Sequence, residues 1–238
     1  MALAIGLGSS ACSKTEESAT GPATTGQVGT TAAGAGSPGT TAAKSGTTMA
    51  PATKTPTISA ASELRTTLTQ LLNAHTILAA NATGAALGGR SEEFEAAAAQ
   101  LDANTKAITD AIVGIYGPDA ELFGDGWKAH IGFFVDYTQA AAKGDAAGKE
   151  KAAKDLDGYA GDLAAFLGNA NPNLPKDAVA ELVRGHIKTL LAVIDAQAAK
   201  DYSKHYRSYA EAMNHMHEIG DPLAGAIAKQ FPEKFPIS

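Results

Sequence analysis

Cysteine occurs once in this chain of 238 residues, at Cys12. One cysteine excludes an intramolecular disulfide, a CxxC redox pair and the CxxCH that attaches haem covalently. No run of some twenty apolar residues occurs, so no stretch is long enough to span a bilayer as a helix. Strand-like alternation of useful length is missing, and β-branched residues are sparse beside alanine, which argues against a sheet. The chain also lacks a nucleotide-binding glycine loop, a G-x-S-x-G and an HExxH. It has no Glu-x-x-His, two of which a carboxylate-bridged di-iron bundle requires. With 25 acidic and 19 basic residues the formal charge is −6, and no basic cluster is present, so nucleic acid is not an expected partner. None of these residues forms a catalytic constellation.

What is present falls into three parts. Residues 1–12, MALAIGLGSSAC, are a short apolar run ending in small residues and Cys12. They look like the tail of a lipoprotein signal, with Cys12 as the lipidated first residue of the mature protein. Residues 13–57 are rich in Thr, Gly, Ala, Ser and Pro with almost no large apolar side chains. Such a segment buries too little surface to offset its ordering entropy, so a disordered tether is expected. Residues 58–238 then carry apolar side chains at intervals of three and four, the spacing of one face of a helix.

The stripes are Leu64, Leu68, Leu71, His75 and Leu78; Phe94, Leu101, Ile108, Ile112 and Ile115; Phe123, Trp127, His130, Phe134 and Tyr137; and Ala152, Leu156, Tyr159, Leu163 and Phe166. Two more follow: Val179, Leu182, His186, Leu190 and Val193; and Tyr202, His205, Tyr209, Met213, Met216, Ile219 and Leu223. Turn signals separate them at Gly88 to Ser91, at Gly117 and Pro118, at Lys143 to Asp145, in the NANPNLP run and at Lys200 and Asp201. Ser91 and Asp145 suit helix N-caps, and Pro222 should bend or restart the last helix. The expected fold is all-α: a bundle of three related helical hairpins, about six helices, behind the tether.

Three histidines occupy the same point of the three hairpins, LLNAH at His75, WKAH at His130 and LVRGH at His186, at intervals of 55 and 56 residues. A fixed period of this size is the mark of stacked supersecondary units. Each of the three lies on its apolar stripe, so each points inward. In an antiparallel hairpin, residues equidistant from the turn share a level, which pairs His186 with His215 and His75 with Asn104. Met213 and Met216 fall near the buried stripe of the last helix, and imidazole with thioether is a donor set suited to copper. A metal site of His186, His215, Met216 and Met213 is therefore expected, with His75 and His130 as further candidates. Asn104, Tyr159 and Asp221 are candidates to orient the ligands. Copper is the favoured ion and haem in the bundle core the lesser alternative. Histidines that merely hydrogen-bond inside a structural or protein-interaction module, and methionines that merely pack, fit the same pattern.

The segments LLNAHTILAANA, WKAHIGFFVDY, HIKTLLAVIDAQAAKDY and AEAMNHMHEIGDPLAGAIAKQFPEKF resemble those of an uncharacterised family of secreted or lipid-anchored bacterial helical proteins. Some members of that family are joined to a copper amine oxidase N-terminal-like domain. The resemblance spans roughly residues 60 to 236 and implies a helical bundle outside the cytoplasm, at the cell envelope; the lipid on Cys12, expected from residues 1–12, would hold it to the membrane. It implies no activity.

Overall fold

Ser59 opens the helical region by accepting a hydrogen bond from the Ser62 backbone N–H while the Ser62 hydroxyl lies 2.9 Å from the Ser59 N–H. That reciprocal cap satisfies two of the donors that a helix start leaves free. The computed structural model describes residues 59–236, in which every regular element is helical. They are α1 (Ala60–Leu87), α2 (Ser91–Tyr116), a short 3-10 turn (Pro118–Glu121), α3 (Leu122–Lys143), α4 (Ala146–Ala170), α5 (Lys176–Ala198) and α6 (Tyr202–Gln230). The readings of residues 1–57, including the lipidated Cys12, lie outside the described residues.

Each hairpin turn contains one residue in the left-handed region: Gly89 at φ 68°, Gly144 at φ 66° and Lys200 at φ 56°. Glycine takes that conformation without a Cβ clash, and lysine takes it at a cost of about 1 kcal/mol or more. Asp145 and Asp201 then cap α4 and α6, accepting from the backbone N–H groups of Gly148 and Lys204. The helix after the first turn starts differently. Arg90 is the residue preceding it, no side chain caps it, and Ser91 is already inside, so the expected Ser91 cap is not formed.

The hairpins close on one another in a ring. The first helices, α1, α3 and α5, meet along the middle, and each return helix lies against two of them: α2 on α1 and α3, α4 on α3 and α5, α6 on α5 and α1. The grip of α2 on α3 is the lightest. Gln197 ties α5 to α1 by donating to the Ala80 carbonyl at 2.8 Å and accepting from the Thr83 hydroxyl at 2.8 Å. Leu156, Leu190, Val193, Ile194 and Ile227 have no exposed surface, so the ring encloses a real core.

The stripe expected for α6 is turned by about one residue. Its buried positions between Ser208 and Ala224 are Ser208, Ala212, Met216, Gly220 and Ala224, whereas Tyr202 is 69% exposed and Met213 only half-buried. The cause is close approach: a Cβ on Gly220 would lie 2.8 Å from the Thr69 hydroxyl oxygen of α1. Small side chains therefore face inward and the large tyrosine turns out. Pro222 neither ends nor restarts the helix, which runs unbroken from Tyr202 to Gln230 with the proline on its exposed side.

Candidate metal centre

Because α1, α3 and α5 meet along the middle, their inward histidines meet too. His75, His130 and His186 are 1%, 2% and 7% exposed, and each offers a ring nitrogen within 4.8 Å of the others. A metal held by three imidazoles at about 2.0–2.1 Å brings its nitrogens to about 3.3 Å from one another, so a modest side-chain contraction completes the grip. The ring centroids of His75 and His130 are 5.4 Å apart and those of His75 and His186 6.0 Å.

The surroundings are aromatic and dry. Trp127, one helical turn before His130, lies edge-on to both His75 and His130 at 5.0 and 4.9 Å. Tyr159 of α4 stacks on His130 at 4.7 Å with 13° between planes, and Phe134 stands edge-on to His130 and His186. This wall brings few polar groups within reach. Both nitrogens of His75, and Nδ1 of His186, have no hydrogen-bond partner among the described residues, and Nδ1 of His130 makes no well-formed hydrogen bond, although the Trp127 backbone lies near enough to favour its charged form slightly. An unpartnered buried polar group costs about 1–3 kcal/mol, so the cluster is expensive for the bare protein.

Burial also fixes the charge state. The pKa of each of the three falls from 6.5 to about 3, first because burial disfavours the imidazolium and then because the neighbouring histidines repel it. All three rings are therefore neutral near pH 7, as a metal requires of its imidazole ligands. The Tyr159 hydroxyl is pushed well above its usual value by burial and stays protonated. A cavity of about 80 Å³ adjoins the three histidines. Trp127, Tyr159 and Met216 line it too, its other walls are aliphatic or aromatic, and no charged side chain reaches it.

His215 lies near enough to His186 to disfavour its charged form but is not one of the three converging rings. Its Nε2 donates to the Leu182 carbonyl at 2.7 Å and its Nδ1 lies 2.7 Å from a Glu218 carboxylate oxygen, so both nitrogens are engaged. Gly185 makes room for the ring, since a Cβ there would lie 2.6 Å from it. The expected grip between His186 and His215 is thereby corrected: His186 joins the first helices of the other two hairpins, and His215 bonds across to α5. Met216 is buried on the cavity wall while Met213 sits at the half-exposed flank. Asn104 donates to the Leu71 carbonyl at 3.0 Å rather than to His75, and Asp221 pairs with Arg65 at 2.5 Å on the surface. Neither orients a histidine of the cluster. Tyr159 does touch it, by stacking rather than by a hydrogen bond. Trp127 belongs to the site although it was not singled out as such in the sequence. Its signal was the three-residue spacing to His130.

The described residues therefore contain a group of three neutral, buried imidazoles able to hold a metal ion. Comparison with known protein families, with curated proteins and with solved structures finds no match for this chain.

Proposed function

We propose that this protein binds one copper ion, in the reduced state, through His75, His130 and His186, and that it does so outside the cytoplasm, held to the membrane by a lipid on Cys12. The observation that carries the metal reading is the convergence of one ring nitrogen from each of the three buried histidines within 4.8 Å, in a core where both nitrogens of His75 lack a hydrogen-bond partner. The choice of copper rests on charge and softness. A divalent ion here would keep two charges in an apolar cavity without a carboxylate, where desolvation costs several kcal/mol per ion. A monovalent copper ion halves that charge, and imidazole with the thioether of Met216 on the same wall suits it. The cavity of about 80 Å³ has room for an ion and a few water-sized groups, which favours this over haem. The envelope location is supported by residues 1–57: a small-residue cysteine site followed by a Thr-, Gly- and Ser-rich stretch.

The test is anaerobic titration of the full chain with copper(I) against a competing chelator, with zinc titrated in parallel. One equivalent bound by the wild type and none by His75→Ala or His130→Ala is the expected result. Wild-type affinity retained in a His75→Ala, His130→Ala, His186→Ala triple variant sinks the proposal. A second reading draws on the stacking of His130 with Tyr159 and the edge contacts of Trp127. There the three rings serve as aromatic core residues of a non-catalytic structural or interaction module of the envelope, and replacing them costs stability while no metal binds.

A further inference from the structure

Three imidazoles leave a copper ion short of a full tetrahedral shell, and the direction left open is a question the cavity answers. The space of about 80 Å³ adjoins all three histidines and is walled by side chains such as Leu72, Ile112, Leu163 and Val183. In this measure one water needs about 10–15 Å³, so a diatomic molecule fits with room to spare. Apolar walls of this kind disfavour a charged ligand and suit a small uncharged one. Besides the histidines and Tyr159, one lining side chain carries a polar group. Trp127 is 8% exposed, its ring lies beside both His75 and His130, and its indole Nε1–H has no acceptor among the described residues. An indole nitrogen can only donate.

We infer that the fourth position of the metal faces this cavity and takes a small uncharged π-accepting molecule, of diatomic size, with the Trp127 indole N–H as its hydrogen-bond donor. The inference rests on the copper reading above. A single N–H is too little to solvate an anion in so dry a space, but it is enough to orient one end of a neutral diatomic whose other end is on the metal. The thioether of Met216 on the same wall is a weak and exchangeable donor beside three imidazoles, so it leaves the position accessible to a stronger ligand.

Carbon monoxide is the probe, because it binds reduced copper without electron transfer and its stretching band reports on its neighbours. The full chain is loaded with copper(I), the copper content is measured by elemental analysis, and the infrared spectrum is recorded under carbon monoxide. The expected result is one carbonyl band at one molecule per copper. In Trp127→Phe, which keeps an aromatic ring but removes the donor, the band shifts to higher frequency. An unshifted band in that variant overturns the role of Trp127. Copper-loaded wild type with no carbonyl band overturns the inference and leaves the metal centre standing, whereas wild type that takes up no copper overturns both.

Discussion

His130 and His215 stand on similar ground in sequence, each on a helix with apolar neighbours three and four residues away, yet the fold spends them differently. Around His130 the neighbours are the rings of Trp127, Phe134 and Tyr159, and its Nδ1 makes no hydrogen bond to another helix. Beside His215 the absence of a side chain on Gly185 lets the ring reach the Leu182 carbonyl, and Glu218 takes the other nitrogen. Inward direction alone does not make a histidine available to a metal. What decides it is whether the facing helix presents a carbonyl or a hydrocarbon wall.

The contrast can be broken in several ways. The largest effect is on acid stability. His75, His130 and His186 are neutral when folded, with pKa values of about 3 against 6.5. The unfolded chain takes up protons below pH 6.5 while the folded one does not until near 3. Stability is therefore full above pH 6.5 and is lost as pH falls through that window. Three such rings give a slope of about 4 kcal/mol per pH unit. Unfolding of the metal-free protein, followed by circular dichroism, is expected about two to three units below pH 6.5. His130→Phe should make the slope about one third shallower.

Next comes metal affinity. His186→Ala is expected to weaken copper(I) binding by more than about 100-fold, since even loss of an outer partner costs 10–100-fold. His215→Ala should change it by less than about threefold. Equal losses in the two variants, measured by chelator competition, would erase the distinction between the two sites. Smaller again is the stability cost of the His215 bond. Either His215→Ala or Gly185→Ala, which pushes the ring off Leu182, should lower the urea-unfolding free energy by about 1 kcal/mol. Least of all, Asp221→Asn should leave copper affinity unchanged, because its partner is the exposed Arg65 and not a ligand.

Much of the architecture was legible because helices and turns are local. The turn signals at Gly88 to Ser91, Lys143 to Asp145 and Lys200 to Asp201 fall where the hairpins turn, and Phe123, Trp127, His130, Phe134 and Tyr137 are all buried as their spacing predicts. The face of α6 was misread because weight was given to large side chains. In the tight groove between α1 and α5 it is Ser208, Ala212 and Gly220 that fit. The site was half legible for a related reason. Spacing within one hairpin suggested that His186 looks across to His215, and nothing local says that three hairpins turn their first helices toward one another. That decision belongs to contacts between residues more than fifty positions apart, which leave no short-range mark.

The ring of hairpins has a thermodynamic corollary. No single hairpin, nor any two, carries the full donor set, so an ion at the centre would draw its three imidazoles from the assembled bundle. Its binding free energy would accordingly add to the cohesion of all three segments at once, growing as the logarithm of free ion over dissociation constant. Metal starvation would then register as a general loosening of the bundle, visible as faster amide exchange or proteolysis along its whole length, rather than as a local change near the histidines.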